Sequence, residues 1–216
     1  MIDKNKKTII FDFGNILINL DYKTCFHQFN EVLGYDFSNG MPPKTEAAFH
    51  RYEKGEINTE SFLWTLQQYN PKAEIRAVIK AWNAILGELP QSRFDMIAQL
   101  RPHYNIAMLS NINDLHEKAI HKRVQEDMGI DNFHTLYFDQ VFYSHHIGHR
   151  KPDPECYAHV TAVLDVHPQD ILFIDDMAIN IRAAQEAGWS GVVHDPKEDI
   201  VNNIDEYLRY LDQGVG

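Results

Sequence analysis

Thr8-Ile9-Ile10-Phe11-Asp12-Phe13-Gly14 is an apolar run that ends in a carboxylate and a glycine. Its β-branched and aromatic residues follow one another without polar alternation, which predicts a strand buried on both faces. Strands of this kind occur in parallel sheets that are covered by helices. In such sheets the carboxyl ends of the strands carry the functional groups. Asp12 is therefore the first candidate for a functional residue.

The part of the chain after residue 88 alternates between strand and helix patterns. Strands are predicted at Asn105–Ser110, Gln140–Tyr143, Ile171–Asp175 and 191–193, and helical patterns separate each strand from the next. This alternation predicts a Rossmann-like α/β fold, in which a parallel sheet lies between two layers of helices.

The part between residues 21 and 87 has a different pattern, because its apolar residues recur at helical spacing. Turn signals such as Ser38-Asn39-Gly40 and Asn70-Pro71 divide it into shorter pieces. Helices are predicted at Tyr22–Leu33, 44–54, 59–68 and 73–86. We therefore expect a helical cap domain over residues 21–87, inserted after the first strand of a core that consists of residues 1–20 and 88–216.

The composition disfavours several classes of function. A formal net charge of −11 argues against a nucleic-acid surface, because binding along a phosphate backbone needs clustered Lys and Arg. The sequence shows neither a membrane-spanning apolar run nor the apolar stretch of a secretory signal. Its two cysteines, Cys25 and Cys156, have neither metal-ligand spacing nor the density of a disulfide framework. We expect a cytoplasmic protein without nucleic-acid or membrane partners.

Several polar residues follow the predicted strands and should meet at one edge of the sheet. They are Asp12, Ser110, Lys151 and the pair Asp175-Asp176. Carboxylates held close together raise one another's pKa unless a cation lies between them. An all-oxygen site with few protein ligands suits Mg²⁺, which also binds a phosphate oxygen. These residues thus predict magnesium-assisted phosphate chemistry with Asp12 as the attacking carboxylate.

Four motifs carry these residues in a characteristic order. They are Phe11-Asp12-Phe13-Gly14-Asn15-Ile16-Leu17, Leu109-Ser110-Asn111, Arg150-Lys151-Pro152-Asp153-Pro154, and Phe173-Ile174-Asp175-Asp176 with Asn180. This order resembles the haloacid dehalogenase-like (HAD) hydrolase superfamily, and the helical segment stands where that superfamily inserts its cap. Within the superfamily, the stretches Phe49-His50-Arg51-Tyr52-Glu53-Lys54-Gly55-Glu56-Ile57 and Leu109-Ser110-Asn111-Ile112-Asn113 resemble the bacterial α-D-glucose-1-phosphate phosphatases.

The resemblance implies a set of Mg²⁺ ligands. Asp12 would be both the nucleophile and a metal ligand, and the backbone carbonyl of Gly14 would be a second ligand. Asp176 would bind the metal directly, whereas Asp175 and Asn180 would act mainly through metal-bound water.

The resemblance also implies the groups that bind the phosphate. Ser110 and Lys151 would act as catalytic phosphate contacts, and the residues Gly14, Asn15 and Asn111 would complete the phosphate-binding loops. The implied partner is a small phosphorylated metabolite. The oligomeric state stays open at this point.

Gly14 departs from the usual motif of the phosphatases in this superfamily, which have a second Asp at this position. That Asp protonates the leaving group and then activates water, and losing such help costs about 10²- to 10⁴-fold in rate. Either a cap residue replaces it, with His27, His50 and Glu53 as candidates, or the leaving group is undemanding. An anomeric sugar oxygen leaves more readily than an ordinary alcohol, which favours a hexose 1-phosphate as the substrate.

Two other functions fit part of this pattern. A hydrolytic 2-haloacid dehalogenase uses the same nucleophile without the second Asp, but it needs no metal, so the pair Asp175-Asp176 favours a phosphatase. A non-catalytic phosphate sensor combines similar residues. A helical segment as long as 21–87, however, fits a lid that encloses substrate better than a signalling surface.

The segment His145-His146-Ile147-Gly148-His149 contains three histidines. Closely spaced histidines can bind zinc, but this segment lacks cysteine partners and the His-Glu-x-x-His spacing. We interpret it as a loop near the active site.

Overall fold

A computed structural model describes residues 2–212 of the chain. Within these residues a sheet of five parallel strands has the spatial order β3-β2-β1-β4-β5. The strands are β1 (Thr8–Phe11), β2 (Asn105–Ser110), β3 (Gln140–Tyr143), β4 (Ile171–Asp175) and β5 (Ser190–Val193). The parallel sheet, with a helical insertion after its first strand, confirms the predicted α/β fold.

Helices cover both faces of this sheet. The α-helices within residues 2–212 are α1 (Tyr22–Leu33), α2 (Pro43–Glu53), α3 (Thr59–Gln67), α4 (Ile75–Asn83), α5 (Gln91–Leu100), α6 (Asp114–Met128), α7 (Phe133–Tyr137), α8 (Ser144–Ile147), α9 (Pro154–Leu164), α10 (Ala178–Glu186) and α11 (Ile200–Asp212), of which the first four belong to the helical insert. In β1, Ile9 and Phe11 share a buried cluster with residues of α5, α6 and α11, whereas Ile10 shares one with residues of α9 and α10. Because both faces are covered, the strands have continuous apolar sequences.

No helix within residues 2–212 is both long enough and apolar enough to span a bilayer.

Helices α1 to α4 form the segment between β1 and α5 and share a hydrophobic core of their own. The buried rings of Phe62 and Trp82 meet edge to face in this core, with their centroids 4.7 Å apart. Two neighbouring stretches of chain connect it to the sheet. The Asn19 amide donates to the Glu88 carbonyl over 2.9 Å, and the Gly87 amide donates to the Asn19 carbonyl over 2.8 Å. The insert therefore enters and leaves through segments that lie side by side.

The insert packs against the beginning of α6, which follows β2. The Thr59 hydroxyl donates to Asp114 over 2.8 Å, and the Leu115 amide donates to the Tyr52 hydroxyl over 3.1 Å. The ring of His116 stacks on Trp82 with an angle of 12° between the two planes. These contacts hold the helical insert beside the carboxyl end of β2.

Three helices are absent from the sequence-based prediction, and the bounds of the others differ from it by at most a few residues. Helices α7 and α8 have only five and four residues, too few to show a helical repeat. Helix α11 has 13 residues and buries Ile200, Ile204, Tyr207 and Leu211. This spacing is a helical repeat, so the sequence does contain a signal for α11.

Candidate active site

Asp12 and Asp175 lie side by side at the carboxyl ends of two paired strands. The register places Phe11 beside Ile174, and the Asp12 amide donates to the Ile174 carbonyl over 2.9 Å. Asp176 follows directly. One carboxylate oxygen from each of Asp12, Asp175 and Asp176 lies within 4.8 Å of the others. The pairing of β1 with β4 thus brings together carboxylates from distant parts of the sequence.

Lys151 lies between two of these carboxylates. Its ammonium nitrogen is 2.7 Å from an oxygen of Asp12 and 2.7 Å from an oxygen of Asp175, and the lysine side chain is 2% exposed. Burial alone would lower the pKa of Lys151, but the attraction of the two carboxylates outweighs it and raises the pKa. The ammonium therefore stays charged within the site.

Asn111 holds the backbone of Lys151. Its side-chain nitrogen donates to the Lys151 carbonyl, and its side-chain oxygen accepts from the Lys151 amide, both over 2.8 Å. The preceding residue, Ser110, is the buried last residue of β2 and pairs with Tyr143 of β3. The Asn111 side chain therefore ties the end of β2 to the backbone of Lys151.

Asp175 is fully buried, and both of its oxygens have protein partners. The Met177 amide donates to one oxygen over 2.7 Å, and the side-chain amide of Asn180 lies 3.0 Å from each. The Tyr157 hydroxyl donates to the Asn180 carbonyl over 2.9 Å. Together with Lys151, these donors occupy the accepting positions of Asp175. Protein groups thus hold Asp175 in place through both of its oxygens.

Asn15 orients Asp176. Its side-chain nitrogen donates to an oxygen of Asp176 over 2.8 Å, and its side-chain oxygen accepts from the Leu20 amide over 3.2 Å. The Asn15 amide donates to the Ile18 carbonyl over 2.7 Å. Its φ of 56° lies in the left-handed region, which Asn adopts more readily than most residues. The side chain and the backbone amide of Asn15 thus bind other protein atoms, and the phosphate contact expected of Asn15 stays a prediction.

The charges of the site call for a further cation. Burial raises the pKa of Asp12 to about 7, although Lys151 lowers it. The pKa of Asp176 is also raised, first by burial and then by the charge of Asp175. One lysine thus fails to balance three carboxylates. A divalent cation with oxygen ligands would relieve the repulsion, which fits the predicted Mg²⁺.

Gly14 leaves space that Leu20 fills. A Cβ atom at Gly14 would lie 2.9 Å from the end of the Leu20 side chain. An apolar group therefore occupies the region next to the position where related phosphatases have their second Asp. The source of a proton for the leaving group has to be sought elsewhere.

Glu53 is a buried carboxylate at the end of α2, on the side of the insert that faces the core. One of its oxygens is 3.0 Å from Nε and 3.0 Å from a terminal nitrogen of Arg150. Burial raises the pKa of Glu53 to about 7, although Arg150 and, more weakly, Lys151 lower it. Arg150, which pairs with Glu53, directly precedes Lys151 in the chain.

Tyr22 and Arg150 are site residues that the sequence did not single out. Burial raises the pKa of Tyr22, and the charges of Asp176, Asp12 and Glu53 raise it further. The negative charge of these carboxylates thus extends to Tyr22, which is half exposed at the start of α1. Arg150 had a signal in the sequence, since it stands directly before the motif lysine. Tyr22 had none beyond its place at the start of the first cap helix.

The other two candidates on the cap have different surroundings. His27 is 70% exposed and lies 3.5 Å from Glu31 on the same helix, so it belongs to the outer surface. Burial lowers the pKa of His50, and the charge of Arg150 lowers it further. Of the three cap residues that could replace the missing acid, Glu53 is the buried one and forms the ion pair with the core.

Comparisons with known proteins identify the family of this chain. A family model described as haloacid dehalogenase-like hydrolase matches residues 6–188. The D-ribitol-5-phosphate phosphatase of Bacteroides thetaiotaomicron is 25% identical over 187 residues, which cover 85% of this chain and 89% of the relative.

Two solved structures have a similar fold over most of the chain. A point variant of an HAD family enzyme from Bacteroides thetaiotaomicron, in complex with magnesium and inorganic phosphate, aligns with a TM-score of 0.82 at 28% identity and covers 90% of this chain and 96% of that chain. A HAD-like family hydrolase from Porphyromonas gingivalis aligns with a TM-score of 0.81 at 27% identity and covers 94% of this chain and 98% of that chain.

These findings confirm the predicted enzyme class and cofactor, while they do not single out the α-D-glucose-1-phosphate phosphatases within the superfamily. The meeting of Asp12, Asp175 and Asp176 is what magnesium-dependent phosphate chemistry requires and what dehalogenation does without. The chain therefore belongs to the haloacid dehalogenase-like hydrolases, as a magnesium-dependent phosphatase of a small phosphorylated metabolite.

Proposed function

We propose that this enzyme hydrolyses the phosphate ester of a small polyol or sugar, with Asp12 as the nucleophile. The supporting observation is the 2.7 Å contact of Lys151 with one oxygen of Asp12, which leaves the other oxygen for phosphorus. The carboxylate attacks phosphorus, the ester P–O bond breaks, and the departing alkoxide takes a proton. Water then attacks the aspartyl-phosphate, which releases inorganic phosphate and restores the carboxylate.

The positive charge of the site would come from Mg²⁺ and Lys151. The proposed metal ligands are Asp12, Asp176, the Gly14 carbonyl and, through water, Asp175 and Asn180. When bound, the ion would offset negative charge on the phosphate and orient it. Lys151 would serve the same purpose from the other side of Asp12, and the Ser110 hydroxyl and Asn111 amide would bind phosphate oxygens.

We propose Glu53 as the group that protonates the leaving alkoxide. Arg150 binds one oxygen of Glu53 and so fixes the orientation of the carboxyl group. The pKa of about 7 keeps a large fraction of Glu53 protonated at neutral pH. A general acid works best when its pKa lies near the operating pH. Glu53 would thus supply from the cap the proton that Gly14 does not.

A proton donor on the cap widens the range of substrates. With acid assistance, the leaving group can be an ordinary primary alcohol, as in the substrate that gives the D-ribitol-5-phosphate phosphatase relative its name. An alditol phosphate is therefore our first candidate. A hexose 1-phosphate is the second, because the glycine at position 14 favours a leaving group that needs little assistance.

The dependence of kcat/KM on the leaving group tests both the role of Glu53 and the choice of substrate. We compare the wild type with Glu53→Gln on D-ribitol 5-phosphate, α-D-glucose 1-phosphate and 4-nitrophenyl phosphate. If Glu53 is the acid, kcat/KM falls by about 10²- to 10⁴-fold on the alditol ester, less on the anomeric ester and least on the nitrophenyl ester. The exposed Glu46→Gln on the same helix is the matched control and leaves all three rates unchanged. Equal losses on the three esters would exclude Glu53 as the acid.

The pH dependence gives an independent readout. A general acid must be protonated to act, so kcat/KM for the alditol ester is expected to fall as the pH rises through about 7, the pKa of Glu53. This limb should be absent from the profile of Glu53→Gln. A limb of the same position and depth in the variant would assign it to another group.

We also propose that residues 21–87 form a cap domain that closes on a core of residues 1–20 and 88–216. The two connecting segments support this division. They lie side by side and are joined by hydrogen bonds of Asn19 with Gly87 and Glu88. Hinges are expected at residues 17–21 and 87–90. Magnesium with beryllium fluoride should protect cap amides from hydrogen exchange, and unchanged exchange across the cap would refute closure.

A further inference from the structure

A second group of metal-ligating side chains lies outside the phosphatase site. It consists of Glu117 from α6 and of His145 and His146 from α8. One oxygen of Glu117 is 2.9 Å from Nε2 of His145 and 3.1 Å from Nε2 of His146. The two imidazole rings therefore direct the same ring nitrogen toward a single carboxylate oxygen. The sequence predicted a loop here, but His145 and His146 lie on the short helix α8, and the fold supplies a third ligand, Glu117, from a position 28 residues earlier in the chain.

The orientation of the His145 ring is fixed from its other side. Its Nδ1 lies 2.9 Å from the Ile112 carbonyl, and its ring stacks on Tyr143 with an interplanar angle of 17°. A carbonyl only accepts, so Nδ1 carries a hydrogen and donates it. In a neutral ring the lone pair is then on Nε2, which points at Glu117. Two electron-rich atoms at this separation repel unless a proton or a metal cation lies between them.

This ring geometry is the one that proteins use to prepare a histidine ligand. A metal-bound imidazole almost always donates its second N–H to a carbonyl or carboxylate, which sets the tautomer and holds the ring. His145 already has this partner in the Ile112 carbonyl, and its side chain is only 8% exposed. The ligand atom is thus preorganised before any ion binds.

The chemical type of the three ligand atoms favours a particular class of metal ion. Two imidazole nitrogens and one carboxylate oxygen suit Zn²⁺ and similar transition metals, whereas Mg²⁺ prefers oxygen ligands alone. Ligand atoms around a tetrahedral Zn²⁺ are about 3.3 Å apart, given bonds of about 2.0 to 2.1 Å. The observed separations of 2.9 and 3.1 Å need to open only slightly. His146 is 57% exposed, so it can adjust and leaves the site open to solvent.

Two further residues define the surroundings of this group. Nε2 of His121 lies 3.7 Å from the second oxygen of Glu117, one turn along α6, so it is available as an additional ligand. On the cap, Gly55 lies so close that a Cβ atom there would be 2.4 Å from the His145 carbonyl oxygen. The group thus lies where α6, α8 and the cap meet.

We propose that Glu117, His145 and His146 bind a transition-metal ion such as Zn²⁺ at a site separate from the magnesium site. The ion would join the segment that follows Ser110 to the segment that leads to Lys151. It would therefore stabilise the two loops that carry the phosphate-binding groups. The proposal does not depend on the identity of the substrate.

Titration with Zn²⁺ tests the proposal directly. Calorimetry is performed on the full-length protein in excess Mg²⁺, which blocks the carboxylate site, and is repeated on Asp176→Asn. One equivalent of Zn²⁺ is expected to bind in both proteins and to raise the unfolding temperature. Absence of saturable binding to the wild type would overturn the proposal.

Matched variants locate the site. Glu117→Gln and the exposed His146→Ala should each weaken Zn²⁺ binding by about tenfold or more. His149→Ala is the control, because His149 follows α8 closely in the chain but contacts the His159 ring, with the centroids 5.8 Å apart. It should leave the affinity unchanged. Unchanged Zn²⁺ affinity in both Glu117→Gln and His146→Ala would overturn the assignment, even if zinc binds elsewhere.

Discussion

The core side and the cap side of the active site are built in different ways. On the core side, Asp12, Lys151 and Asp175 are joined by contacts of 2.7 Å, and backbone and amide groups orient each of them. On the cap side, Glu53 reaches the core through Arg150 at 3.0 Å, and helices packed by aromatic rings carry it. In the proposed mechanism, the groups of the core side act on phosphorus, which every substrate shares. Glu53 on the cap side would act on the alcohol part of the ester.

The largest effect is expected from Asp12→Asn on the core side. The amide cannot form the aspartyl-phosphate, so kcat should fall by about 10⁴-fold or more, which is about 5 kcal/mol of barrier. Steady-state kinetics on the best substrate measures it, and circular dichroism checks the fold. Asp165→Asn, at a carboxylate whose side chain is 85% exposed, is the control. Full activity of Asp12→Asn would remove the nucleophile assignment and the mechanism with it.

The second prediction concerns the stability of the core side. Lys151→Met leaves Asp12 and Asp175 facing each other without their shared cation, so the free energy of unfolding should fall by about 3 to 5 kcal/mol. Urea unfolding without metal or phosphate measures this difference. Lys4→Met is the matched control, because Lys4 pairs with Asp165 at the surface, where such pairs contribute at most about 1 kcal/mol. Similar losses in the two variants would contradict the buried ion-pair arrangement.

The third prediction tests the junction of cap and core through pH. Burial lowers the pKa of His116 to about 4, and its ring nitrogen donates to the Trp82 carbonyl of the cap over 3.1 Å. Because the folded protein favours the neutral ring, this stability is present above the unfolded pKa of about 6.5 and is lost as the pH falls from there toward 4. The loss should reach about 3 kcal/mol at the acid end.

Denaturant unfolding between pH 7 and pH 4 measures this loss, with His116→Gln as the comparison. Glutamine does not titrate, so the variant should show a shallower decline over the same range. If both proteins lose stability in parallel, other groups cause the acid sensitivity and the cap contact of His116 is not its source.

The smallest expected effect separates close packing from backbone strain. Gly55 and Gly34 both have φ of +67°, so an alanine at either position is strained. At Gly55 the new Cβ would also meet the His145 carbonyl oxygen at 2.4 Å, whereas at Gly34 nothing lies within 4 Å. Gly34→Ala should cost about 1 kcal/mol, and Gly55→Ala should cost about 1 to 3 kcal/mol more. Thermal unfolding measures the loss of stability in both variants. Equal losses would show that the cap does not pack closely against α8.

The core side could be predicted from the sequence because its signals are local. A buried parallel strand requires a continuous apolar run, and the residue that follows it necessarily emerges at the ligand-binding edge of the sheet. Asp12, Ser110 and Asp175 could therefore be placed before any coordinates were known. Asn15 illustrates the limit, because no local pattern indicated that its backbone adopts a φ of 56° or that its side chain donates to Asp176.

The sequence by itself determined the sheet, the position of the helical insert and the carboxylates that meet at the strand ends, since these depend on apolar periodicity and on where each strand stops. Only the tertiary structure decided that Glu53 reaches the core through Arg150, that Leu20 occupies the space beside Gly14, and that Glu117 meets two histidines. These last contacts join residues far apart in the chain through the packing of helices. Packing depends on the angles between elements, which no local pattern of residues encodes.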